Sequence, residues 1–81
     1  MSRQLLTAAL YIKTGLPPIE RLALSYIADN ADEAGLCTNL DVELVAKILE
    51  TDLVRLHKIH RSLRDKGLID IVGTAFQLYL D

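Results

Sequence analysis

The sequence predicts a mainly α domain with a small β-hairpin, four helices followed by a short two-stranded element. Three observations carry that prediction. Apolar residues recur at helical spacing in four segments, each flagged by a start or stop residue. The run after Gly67 instead alternates apolar and polar positions on either side of Gly73 and Thr74, the pattern of a hairpin. With 81 residues, one Cys and four scattered Gly, the chain has room for a single domain, 1–81, and lacks the composition of a disulfide scaffold or a low-complexity tract.

The first helix is expected over 2–15, capped by Ser2 and stopped at Gly15, with Lys13 in its last turn. Leu5, Ala8, Ala9 and Ile12 share one face, while Leu6 and Leu10 lie about 100° or more away. A helix apolar on two sides is buried on two sides, so Leu6, Leu10 and Tyr11 are the candidate dimer interface. The alternative, that they cap the chain's own core, stays open.

A second helix begins at Pro18, which suits a first turn, with Glu20 favourable at the N-terminal dipole. Its inner face is expected to be Ile19, Ala23, Tyr26 and Ile27, and its end near Asn30 or Ala31. The segment DEAGLCTN reads as a turn with a short strand. Asn39 or Asp41 can cap a third helix that turns Val42, Val45, Ile48 and Leu49 inward.

The fourth helix, 52–66, is expected to be capped by Thr51, with Asp52 in its first turn and Gly67 as its stop. Leu53, Leu56, Ile59 and Leu63 form its packing stripe. His60 lies closer to that stripe than to the opposite face and is expected to be partly buried. Leu68 to Val72 and Ala75 to Leu80 then pair as the hairpin.

Charge is distributed unevenly along this chain. The total is -2, from nine Lys and Arg against eleven Asp and Glu, too acidic for a protein that coats nucleic acid without selectivity. Residues 51–66 nevertheless hold Arg55, Lys58, Arg61, Arg64 and Lys66 against Asp52 and Asp65, a local +3 that leaves -5 elsewhere. Val54, His57, Lys58 and Arg61 fall at i, i+3, i+4 and i+7 on the outer side of the fourth helix, with Arg64 at the margin. Arg and Lys donate to guanine O6 and N7, His donates or accepts, and Val meets a thymine methyl, so this face suits the DNA major groove.

The run LALSYIADNADEAGLCTNLDVELVAKILETDLVRLHKIHRSLRDKGLI resembles the winged helix-turn-helix domains of phage and plasmid replication proteins and, more loosely, of MarR-type regulators. The resemblance spans roughly residues 18–72. Its anchors are Ala28, Asp29 and Ala31, then Gly35 and Cys37, the Leu44 to Lys47 helix, and Leu63, Lys66, Gly67, Leu68 and Ile69 leading into the wing. It implies that 18–80 is a winged helix-turn-helix whose recognition helix is 52–66 and whose wing is the hairpin. Thr51, Val54, Arg55, His57, Lys58, Arg61 and Arg64 are then the DNA-binding candidates.

The function expected is that of a small sequence-specific DNA-binding protein, a regulator or replication accessory, acting on double-stranded DNA as a homodimer because one monomer offers few phosphate contacts. The alternative is a winged-helix protein interaction module, an adaptor, architectural subunit or inhibitor. It draws on the acidic total, a hairpin tip without Lys or Arg, and an apolar content of 51%. No enzyme is expected, since neither Cys37 nor any paired carboxylate has the partners catalysis requires. No cofactor is expected, and His57 and His60 lack the further ligands of a metal site. The lone Cys37 reads as core packing. No signal peptide or membrane-spanning run is visible, so the expected location is cytoplasmic.

Overall fold

The computed structural model describes Thr7 and residues 15–79. Apart from Thr7 and Gly15, the helix expected over 2–15 falls outside them, and so do Leu6, Leu10 and Tyr11. The elements described are α1 (Pro18–Asp29), β1 (Leu36–Cys37), α2 (Val42–Ile48), α3 (Leu53–Asp65), β2 (Ile69–Val72) and β3 (Ala75–Leu78).

Three helices stand among the described residues, the first of the four expected lying outside them. One expectation changes: the two-stranded hairpin is part of a three-stranded antiparallel sheet in the order β1-β3-β2. Leu36 pairs with Gln77 and Cys37 with Phe76. An isolated hairpin leaves two open edges and is marginal in water, and the pairing of β1 with β3 closes one of them. Gly35 makes the approach possible: its φ is +83°, and a Cβ there would lie 3.1 Å from Gln77 Nε2 and 3.3 Å from the Leu78 carbonyl oxygen.

Helix ends follow local chemistry. Pro18 opens α1 where its missing N–H costs nothing. Asp41 caps α2, its carboxylate accepting from the Leu44 N–H at 3.1 Å. The cap of α3 is Asp52, not Thr51: Asp52 Oδ1 accepts from the Arg55 N–H at 2.7 Å. Both residues are good caps, and the carboxylate carries the charge that the helix N-terminus favours.

Helices α2 and α3 end in the same way. Thr51 N–H donates to the Ala46 carbonyl and Glu50 N–H to that of Lys47. Likewise, Leu68 N–H donates to Leu63 and Gly67 N–H to Arg64. Both are Schellman closures, which place the residue after the cap in the left-handed region. At the end of α3 that residue is Gly67, with φ +77°. At the end of α2 it is Glu50, with φ 54°.

The core is built from Ala23, Leu24, Ile27 and Ala28 of α1, Val45 and Ala46 of α2, Leu56, Ile59 and Leu63 of α3, and Cys37, Ile69, Phe76 and Leu78 of the sheet. Cys37 is thus a packing residue, and burial pushes its thiol pKa up. Three placements differ from the periodic reading. Ile48 is 49% exposed, because the side of α2 facing the core is centred between Val45 and Ala46, with Ile48 about 110° around the helix. Leu53, the first residue of α3, is 37% exposed. His60 is 1% exposed, a full member of the buried stripe.

A polar clasp joins α1 to the far end of α3. Glu20 Oε1 accepts from Ser62 Oγ at 3.1 Å and from Lys66 Nζ at 2.6 Å. One of the basic residues of the 51–66 segment is therefore engaged within the fold.

Candidate functional site

Helix α3 interleaves two sets of residues. At about 100° per residue, Leu56, Ile59, His60 and Leu63 face the core, while Val54, His57, Lys58 and Arg61 point the other way. The structure leaves Val54, Arg55, His57, Lys58, Arg61 and Arg64 all exposed, Val54 at 67%. These six expected contact residues lie on one helix, held at one end by the Asp52 cap and at the other by the Glu20 clasp. The seventh, Thr51, is half-buried, and its Oγ1 is enclosed without a hydrogen-bond partner. Its contribution is the turn between α2 and α3, through the backbone bond to Ala46.

The outer side is itself divided. Val54, Lys58 and Arg55 stand toward the open solvent side. His57, Arg61 and Arg64 continue past His60 along a stripe spaced i, i+3, i+4 and i+7. That stripe forms one wall of a cleft of about 400 Å³ between α3 and the hairpin. The opposite wall is largely apolar: Leu40, Val42 at the start of α2, and Ile71 and Phe76 of the sheet, with Thr74 at the hairpin tip.

At the back of the cleft, His60 and Phe76 meet edge to face, their ring centroids 4.6 Å apart and their planes at 61°. Neither ring nitrogen of His60 has a hydrogen-bond partner among the described residues. Burial, and to a smaller degree the nearby His57, pushes the His60 pKa down to about 4. The ring is therefore neutral at pH 7, with one N–H donor and one acceptor.

The described residues that line the cleft include no Asp or Glu. The Arg64 guanidinium has only a long 3.8 Å contact to the exposed Asp65, and Arg61 makes no ion pair among the described residues. The hairpin tip, Val72 to Ala75, carries no charge. Val72 is 58% exposed there, and Gly73 takes φ +62° at the first position of the two-residue turn, where glycine is favoured.

Comparison with protein-family models, curated proteins and solved structures finds no match. The chemistry of the site is thus read from this chain's own residues. No group of three or more His, Cys, Asp or Glu among the described residues is placed to hold a metal ion. No helix among them is long and apolar enough to cross a membrane.

The cleft is the part of the site that the periodic reading missed. Val42, Ile71, Thr74 and Phe76 lie in α2, β2, the hairpin turn and β3, and no local spacing joins them to α3. The one sequence signal was His60, a polar residue drawn toward an apolar stripe.

Proposed function

We propose that the chain is a winged helix-turn-helix DNA-binding protein that reads the major groove of double-stranded DNA with α3 and acts as a homodimer on a two-fold site. Support comes first from the order α1-β1-α2-α3-β2-β3, in which α2, a tight turn and α3 are followed directly by a hairpin. The observation that carries the reading is the outer side of α3, where six polar, basic or methyl-bearing residues stand exposed on a helix fixed at both ends. Arg61 and Lys58 are the base-edge and phosphate candidates, and Val54 the thymine-methyl contact. The hairpin takes the position of the wing. Its uncharged tip assigns most phosphate contacts to α3 itself.

Selection from a pool of random duplexes at low and moderate salt tests this reading. The expected result is an enriched two-fold motif that is lost in a Lys58→Ala, Arg61→Ala double variant. Arg61→Ala alone costs about 1–3 kcal/mol at one base pair, while Lys58→Ala weakens all sequences and flattens the salt dependence. Absence of duplex binding even at low salt overturns the reading.

A second reading has its own observation. Leu44 and Ile48, one turn apart on the outside of α2, are 52% and 49% exposed, and Val72 at the hairpin tip is 58% exposed. Exposed apolar residues of this kind suit a protein partner better than a phosphate backbone. Under that reading the same domain is an adaptor, architectural subunit or inhibitor that docks through α3 together with Leu44, Ile48 and Val72.

A further inference from the structure

The cleft between α3 and the hairpin has two unlike walls. One is a stripe of His57, His60, Arg61 and Arg64. The other is hydrocarbon and aromatic, contributed by Val42, Ile71 and Phe76. Its volume of about 400 Å³ is within the range, roughly 300–1,000 Å³, of small-molecule sites. A DNA backbone would use the cations and leave the apolar wall idle. Both walls are used by a compact molecule that is charged on one side and apolar on the other.

His60 supplies an independent observation. It is 1% exposed, it lies in the wall of this cleft, and both its ring nitrogens lack partners among the described residues. Buried polar atoms are ordinarily paired, because an unpaired one forfeits its hydration without return. The Phe76 ring against it provides only an edge contact. A small turn of the ring into the cleft would bring its N–H to a ligand oxygen, with Arg61 and Arg64 lining the same cleft. With two Arg and no acidic side chain among the described residues of the lining, the cleft suits an anionic ligand.

We propose that this cleft binds a small apolar carboxylate. Arg61 and Arg64, together with the His60 N–H, take its charged end, and Val42, Ile71 and Phe76 cover its hydrocarbon body. The site goes beyond DNA binding and does not rest on it: the ligand is recognised by the isolated chain. Since Arg61 and Arg64 also stand among the duplex candidates, an occupied cleft would withhold them from DNA.

The test is a titration of the uniformly ¹⁵N-labelled full chain, without DNA, followed through its amide and imidazole resonances. The probes are 2-naphthoate, its neutral isostere 2-naphthamide, and acetate, which has the charge without the ring. The proposal expects saturable shifts for 2-naphthoate at Thr74, Phe76 and the His60 ring nitrogens. It expects binding about tenfold weaker or worse for each of the other two probes, since 2-naphthamide loses a charged hydrogen bond and acetate loses the burial of the ring. An Arg61→Ala, Arg64→Ala double variant, altered only at exposed positions, should keep its circular dichroism spectrum and lose a similar factor. Equal binding of 2-naphthamide would leave a merely apolar groove, and equal binding of acetate a merely cationic surface. Either result overturns the proposal, and so do an unaffected double variant, shifts confined to the shallow groove of Leu22 and Tyr26 on α1, or no saturable shift at all.

Discussion

Along α3 the inward residues Leu56, Ile59, His60 and Leu63 are buried, whereas the outward residues Val54, Arg55, His57, Lys58, Arg61 and Arg64 are exposed, although the two sets alternate every residue or two in the chain. Buried packing is concentrated on one side of this helix and exposed basic and polar side chains on the other. Substitutions on the two sides should therefore fail in different assays. His60 breaks the symmetry, being a titratable group on the side where every neighbour in the stripe is aliphatic.

The largest expected effect is on the inward side. Leu63 is wholly buried, and Leu63→Ala should cost about 2–5 kcal/mol in urea unfolding, the range for a core leucine that leaves a cavity. A smaller loss would mean that the layer between α1 and α3 collapses around the gap.

Acid should act next, through His60. Its pKa falls from 6.5 in the unfolded chain to about 4 in the folded one, so the unfolded state takes up the proton first. Stability from this group is fully present above pH 6.5 and is lost as pH falls toward 4, in total about 3 kcal/mol. Carboxylates titrate in the lower part of the same window, so the informative quantity is the difference between the parent and His60→Phe. The variant should show a shallower fall in unfolding free energy between pH 6.5 and 4. Parallel profiles would remove His60 as the acid-sensitive group.

The turn between α2 and α3 offers a gain instead of a loss. Glu50 holds the left-handed position that Gly67 fills at the other end of α3. Glu50→Gly should raise unfolding free energy by about 1 kcal/mol, since a side chain in that region costs roughly 1–2 kcal/mol and glycine returns part of it as chain entropy. An unchanged midpoint would show that Glu50 gains something at this turn that offsets its strain.

The smallest effect on folding belongs to the outward side. Lys58→Ala with Arg61→Ala should leave unfolding within about 0.5 kcal/mol of the parent, as exposed substitutions usually do, while abolishing duplex selection. A large loss of stability would show that the two sides of α3 are coupled.

Much of this architecture was legible from residue order because its causes are local. Pro18 marks a helix start through its fixed φ and Gly67 a helix end through its access to positive φ, Asp41 caps through its own carboxylate, and Gly73 with Thr74 sets the hairpin register. The outer side of α3 was legible as well, since Leu56, Ile59 and Leu63 define a buried direction and helical stepping places the basic residues opposite. Periodicity failed where the margin was narrow: Ile48 and Leu53 are apolar yet exposed, and the carboxylate of Asp52 took the cap that Thr51 was equally able to supply.

By itself the sequence determined the helices of 18–65, the hairpin after Gly67 and the concentration of positive charge on α3, because each depends on neighbours within a few residues. Tertiary structure decided the rest. It added β1 to the edge of β3, joined Glu20 to Ser62 and Lys66, sealed His60 against Phe76, and opened a cleft between α3 and the hairpin. Each of these depends on how far apart two elements settle and at what angle. Those quantities are set by the packing of the whole core around Leu24, Ile27, Leu56 and Leu63, and no local pattern of residues encodes them.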